Sequence, residues 1–293
     1  MQRKQFITTV LTGAAGMTGL AAFNRFTDDL KEDDQLMPVL FIGHGSPMNG
    51  IEDNEFSRRW AKMATEITTP KAVLVVSAHW FTKGTHITAM DFPETIHDFG
   101  GFPKALFDVK YPAPGSASLA NETKALIHSA DVGLSHDWGL DHGAWTIIRH
   151  MYPKADIPVL QLSIDYTKPP QYHYDLAKEL YSLRKKGVLI IGSGNMVHNL
   201  RMVAWDKLDA PEYGYDWALH MNKTFKELIG NKTHDKLINY SLLGKEAQLS
   251  IPTPEHYLPL LYTLGLQNSM EGVSFFNDKA VGGSLTMTSV KIG

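Results

Sequence analysis

Cysteine is absent from the 293 residues, which excludes disulfides, thiolate nucleophiles and sulfur-ligated zinc or iron–sulfur centres. Any metal must therefore be held by His, Asp or Glu. Long lysine or arginine runs are also missing, and 28 Lys+Arg against 31 Asp+Glu leave a formal charge of −3. That balance gives no electrostatic footprint for nucleic acid or for an anionic membrane surface. Beyond the N-terminal segment no apolar run reaches the ~18 or more residues that a membrane span requires. There is no internal repeat, low-complexity tract or interior linker. What is present, 43% hydrophobic and 20% charged residues, is the profile of a globular protein and rules out disorder, collagen and coiled coil. The length is ample for one large α/β domain with a sizeable core.

Residues 1–36 differ in composition from the rest. Arg3-Lys4 precede Phe6-Ile7, a Gly/Ala/Thr-rich stretch runs to Phe23, and an acidic run over 28–34 closes the segment. A short basic head before a weakly apolar segment fits an export signal to the periplasm, and Arg-Lys-x-Phe is similar to a variant of the twin-arginine type. The alternative is a cytoplasmic protein with a disordered or loosely docked N-terminal segment. The catalytic domain is expected over 37–293.

Four continuous Val/Ile/Leu-rich runs, 38–42, 72–76, 157–162 and 188–191, read as strands buried on both faces of a mainly parallel sheet. Between them, 54–67, 118–129, 143–152, 172–186 and 213–229 carry apolar residues at helical spacing, and Gly187 suits the end of the fourth helix. A last helix is expected to open with Thr253 as N-cap and Pro254 in its first turn. Closing strands are expected at 273–276 and 284–292. The fold class is thus α/β, a single domain with a mainly parallel sheet flanked by helices.

Ligands of such sheets bind beyond the carboxyl ends of the strands, and three of the thirteen histidines fall there. His44 follows the first run in Gly43-His44-Gly45-Ser46-Pro47, His79 the second in Ser77-Ala78-His79-Trp80, and His198 the fourth, after Gly192-Ser193-Gly194-Asn195. One such histidine is commonly a hydrogen-bonded structural residue, but three together point to a metal site. A fourth, His256, lies in Thr253-Pro254-Glu255-His256-Tyr257, where a helix N-terminus would keep the ring neutral. Imidazoles with a carboxylate suit zinc or non-haem ferrous iron. That carboxylate is Glu255, or else His256 takes the position, since neighbours on a helix point about 100° apart.

Other motifs carry less. Gly192-Ser193-Gly194-Asn195 lacks the third glycine and the Gly-Lys-Ser/Thr ending of phosphate loops and reads as a tight turn. Neither Ser46 nor Ser193 sits in the G-x-S-x-G elbow of serine hydrolases. His97-Asp98-Phe99-Gly100-Gly101-Phe102-Pro103 is a glycine-hinged aromatic loop suited to covering a planar substrate, and Asp141-His142-Gly143 places a histidine at a helix start. Trp80, Phe99, Phe102 and Trp145 are candidates for an aromatic pocket, and Arg201 for holding a substrate carboxylate. His86, His128, His136, His150, His173, His220 and His234 match no cluster and read as surface or packing residues.

These motifs, with Tyr111-Pro112-Ala113-Pro114-Gly115, His198-Asn199-Leu200 and Pro252-Thr253-Pro254-Glu255-His256-Tyr257-Leu258-Pro259, occur in order from about Met37 onward. The set resembles the 4,5-DOPA extradiol dioxygenase family of class III, LigB-like ring-cleaving enzymes. The resemblance implies one divalent metal per chain, held at His44, His79, His198 and His256. It also implies zinc in bacterial members as isolated and ferrous iron for ring cleavage. The partners are then a small aromatic diol, L-DOPA-like, and O2, and the product a seco acid that cyclises. His198 is the expected base for the second phenolic proton, with His142 in reserve; if His198 ligates the metal, the base is His142. A zinc-dependent hydrolase on the same histidines is the competing reading.

Overall fold

All four continuous apolar runs form strands, and around them the chain folds in the following order. The first half comprises β1 (Val39–Gly43), α1 (Glu55–Glu66), β2 (Ala72–Thr82), β3 (Thr85–Thr88), α2 (Lys104–Phe107), α3 (Ala117–Leu126), β4 (Val132–Ser135) and α4 (His142–Met151). There follow β5 (Val159–Asp165), α5 (Pro170–Glu179), α6 (Tyr181–Lys185), β6 (Val188–Gly194), α7 (Asp216–Gly230), α8 (His234–Ile238), α9 (Lys245–Ser250) and α10 (Leu258–Gly265). The chain closes with β7 (Val273–Phe276), β8 (Ala280–Val281), β9 (Leu285–Thr286) and β10 (Ser289–Ile292). This computed structural model describes Leu30 and residues 35–293, so 1–29 and 31–34 of the signal-like segment read from the sequence lie outside the described residues.

Eight strands form one sheet in the order β4-β3-β5-β2-β6-β1-β10-β7. Its centre, β5-β2-β6-β1, is parallel, while β10 and β7 join antiparallel at one side and β3 pairs antiparallel with β5 at the other. Side chains alternate across the sheet, and both faces are covered. Val39, Phe41, Leu74, Val76, Val188 and Ile190 pack into one apolar layer with α5 and α10. Leu40, Ile42, Val73, Val75, Leu189 and Ile191 pack into the other with α1 and α4. Two-sided burial is why these runs are apolar without interruption.

Several boundaries depart from the sequence reading. The helix expected over 172–186 is two, because the chain turns at Leu180 between α5 and α6; Gly187, at φ 79°, does follow the second. The closing strand expected over 284–292 is split: β9 pairs with β8 in a small separate ribbon, and only β10 joins the main sheet. Helix α10 opens at Leu258 and not at Thr253, with Pro259 as its early proline. Residues 254–257 form a turn closed by Tyr257 N–H donating to the Pro254 carbonyl at 2.9 Å, while the Thr253 hydroxyl donates to Glu255 instead of capping the helix. Gly192, Ser193 and Gly194 are the last residues of β6, not a tight turn.

Candidate metal centre

Strands β2, β6 and β1 lie side by side in the sheet. Neighbouring strands are about 4.8 Å apart, so side chains leaving the carboxyl ends of all three reach one place. His44 follows β1 directly, and its N–H donates to the Gly194 carbonyl at the end of β6. His79 lies inside β2, which runs on to Thr82; pairing with β5 is irregular between Val76 and Phe81, and His79 sits within that irregularity. His256 arrives from the other side, in the turn before α10. A Cβ on Gly194 would lie 2.1 Å from the His256 carbonyl oxygen. The glycine therefore serves the close approach of that turn to β6.

His44, His79 and His256 bring their ligand nitrogens within 4.8 Å of one another. Two further sets overlap them, His79 with Asp98 and His142, and His198 with Glu255 and His256. All five sequence-selected histidines are thus in one cluster. His256, and not Glu255, joins His44 and His79, while His198 stacks on His256 with ring centroids 3.6 Å apart and planes within 9°. His142, at the start of α4, lies 3.8 Å from the His79 ring and 5.6 Å from His44.

Hydrogen bonds orient His44, His142 and His256. Ser193 Oγ gives its only proton to the Gly143 carbonyl at 2.6 Å, so towards His44 Nδ1, at 2.9 Å, it can only accept. His44 is therefore protonated on Nδ1 and bare on Nε2. Asp98 Oδ2 lies 3.3 Å from His79 Nδ1 and 2.9 Å from His142 Nδ1. A carboxylate only accepts, so His142, which hydrogen-bonds to it, carries its proton on Nδ1, while His79 meets the same oxygen as an electrostatic contact. Glu255 Oε1, 3.3 Å from His256 Nδ1, orients the third ring in the same way. Nε2 of His44 and Nε2 of His79 lie 3.1 Å apart. At that spacing one ion with bonds of about 2.0–2.1 Å touches both.

Burial, with the neighbouring imidazoles, holds His44 and His256 well below the usual histidine range. For His79 burial and His142 outweigh the opposing Asp98 and lower it to about 3. Burial lowers His198 to about 4 against the pull of Glu255. Burial alone would raise Asp98, but the His142 hydrogen bond and charge, with His79, bring it down to about 2. Neutral imidazoles and an ionised carboxylate are the protonation states a divalent cation needs.

Asp98 is the residue that sequence reasoning passed over, treating its motif only as an aromatic loop. Its signal was a lone acid among aromatic residues and glycines. That loop borders the cluster: Phe99 stands edge-on to His142 at 5.5 Å and contacts Phe102 at 5.4 Å. Trp145 meets Phe99 at 6.2 Å but is fully buried, its indole N–H donating to the Ile96 carbonyl. Trp80 does not join this group and stacks instead on Trp138. Arg201 is exposed on the short turn Leu200–Met202. Ser46 caps the turn Pro47–Gly50.

Fold and site together define an α/β protein with a histidine-rich site, able to hold a metal ion, at the carboxyl edge of its sheet. Over residues 38–280 the chain matches the family described as the catalytic LigB subunit of aromatic ring-opening dioxygenase, and it belongs to that family of metal-dependent enzymes. The 4,5-DOPA dioxygenase extradiol of Escherichia coli K12 is 48% identical over 88% of this chain and 95% of its own length. The protein of the same name from Beta vulgaris is 35% identical over 88% of this chain and 97% of its own. The crystal structure of an uncharacterized Escherichia coli K12 protein has a TM-score of 0.75 and 43% identity, covering 88% of this chain and 100% of that one. Among the described residues no helix is long and apolar enough to cross a membrane.

Proposed function

We propose that this enzyme opens the ring of an L-DOPA-like catechol with dioxygen, beside the diol, to a seco acid that cyclises. The names of the relatives from Escherichia coli and Beta vulgaris support the substrate class. The observation that carries the reading is the meeting of imidazole nitrogens at the edge of the sheet. His44, His79 and His256 would hold one divalent ion. Ferrous iron supplies the redox contact between catechol and oxygen, which zinc, having no redox chemistry, does not.

The remaining residues bind, orient and move protons. His142 keeps Nδ1–H on Asp98 and so presents a bare Nε2 able to accept a phenolic hydrogen. His198 is held by stacking on His256 and by its own backbone N–H donating to Ser250 at 2.8 Å. It is the base that takes the second phenolic proton and later returns one, with His142 binding the diol. A positioned base of this kind contributes roughly 10²–10⁴-fold. Phe99 and Phe102 cover the ring and exclude water. Holding both reactants beside one another can remove about 7–11 kcal/mol of the barrier.

A zinc hydrolase is the second reading, favoured because one of the converging groups, His44, His79 and His256, consists of imidazoles alone, a set known for catalytic zinc. Anaerobic loading with ferrous iron, followed by oxygen uptake and absorbance with a panel of catechols, separates the two. Consumption of one O2 per catechol and a yellow product are expected. No oxygen consumption with any catechol would sink the proposal.

A further inference from the structure

One carboxylate oxygen serves two imidazoles with different tasks. Asp98 enters the site from the loop between β3 and α2 and is anchored by His142, whose backbone N–H donates to Oδ1 at 2.9 Å. This fixes the carboxylate plane, leaving Oδ2 directed at His142 Nδ1 at 2.9 Å and His79 Nδ1 at 3.3 Å. The Asp98 side chain is only 15% exposed and that of His142 only 6%, so water does not readily replace either contact. The two rings it joins lie 3.8 Å apart, one grouped with His44 and His256 and the other beside the Phe99 cover.

We propose that Asp98 is a shared positioning residue, whose Oδ2 holds His79 and His142 together in the Nδ1–H tautomer with both Nε2 atoms bare towards the site. The inference rests on the metal reading above for His79. The carboxylate thereby ties ligation to proton handling: neither ring can turn or change tautomer without disturbing the other's partner. Partners of this kind are worth about 10–100-fold in metal affinity or activity.

Asp98→Asn is the informative change, because it keeps the shape and alters the chemistry. With Oδ1 still accepting from the His142 backbone, the new NH2 takes the place of Oδ2 and faces both rings as a donor. Each ring must then accept at Nδ1 and carry its proton on Nε2, against the metal. Zinc or cobalt affinity of the full chain, measured by competition with a chelating dye, is expected to fall about 10–100-fold. Asp98→Glu, which restores a carboxylate, should recover part of that loss.

Nitrogen-15 spectra of the metal-free wild type read the tautomers directly, with His79→Gln and His142→Gln providing assignments. Nδ1–H at both rings is expected, and Nε2–H at either would overturn the proposal even if Asp98→Asn fails to fold. So would wild-type metal affinity in a folded Asp98→Asn chain, since a merely structural role would lower the melting temperature and leave affinity unchanged. A wild-type chain that takes up no divalent ion would sink the metal reading, while the spectra would still decide the tautomer assignment.

Discussion

At the scale of single residues, partners behind the imidazoles matter as much as the imidazoles. Ser193 shows why: its hydroxyl accepts from His44 Nδ1 because its own proton is spent on Gly143. Ser193→Ala leaves a buried donor without a partner and the His44 tautomer unset. Metal affinity is expected to drop roughly 10-fold and stability by about 1–3 kcal/mol, read by dye competition and by denaturant unfolding. Unchanged affinity would show that Ser193 does not orient His44. Far from the site, His173 is buried with Nδ1 at 3.0 Å from the Tyr262 hydroxyl, and burial lowers it to about 4. The unfolded chain takes up a proton at this residue below about pH 6.5, whereas the folded chain does not until about pH 4. Stability is therefore present above that window and falls as pH drops through it, by up to about 1.4 kcal/mol per pH unit. Denaturant titrations of wild type and His173→Asn between pH 7.5 and 4.5 should show a shallower loss in the variant; parallel curves would contradict the assignment. The histidines at the ends of apolar runs were legible from sequence because strand ends are where such sheets bind. Asp98 was not, because it acts from a loop without periodicity, and only the folded chain shows which groups its oxygens meet.

At the scale of elements, what sequence patterns conveyed best was strands buried on both faces, since a short unbroken apolar run between turn residues fits little but a strand covered on two sides. They conveyed less about the approach to α10. Thr253-Pro254 has the composition of a helix start, yet the turn over 254–257 intervenes and brings the His256 carbonyl onto Gly194. Backbone-to-backbone proximity of this kind leaves only a glycine as its trace, and a glycine suits a turn equally well. Gly194→Ala places a Cβ 2.1 Å from the His256 oxygen, and Asn195 N–H, which donates to the same oxygen at 2.9 Å, must move as well. Overpacking typically costs about 1–3 kcal/mol, so lower thermal stability and weaker metal binding are expected together. Gly230→Ala is the matched control: it ends α7 with nothing within 4 Å of the added carbon, and should be neutral or slightly stabilising. Equal loss in both variants would show that crowding against the His256 carbonyl is not the cause.

At the scale of the molecule, the site lies where the two apolar layers meet the end of the sheet. Helix α4, carrying His142, belongs to the layer of Ala144, Trp145 and Ile148. Helix α10, just after His256, belongs to the opposite layer with Leu258, Leu260 and Leu261. His44 and His79 come from strands separated by β6, so an ion held by His44, His79 and His256 ties the sheet to one layer, and through Asp98 to the other. The unfolded chain has no such convergence, and binding therefore stabilises the fold by RT ln(1 + [M]/Kd), about 2.7 kcal/mol at one hundred times Kd. Removing metal with a chelator should lower the melting temperature by several degrees, and restoring it should reverse the change. In His79→Ala that metal-dependent shift should vanish although its layers remain packed. A metal-dependent shift of the same size in His79→Ala would mean that the stabilising ion sits elsewhere in the molecule.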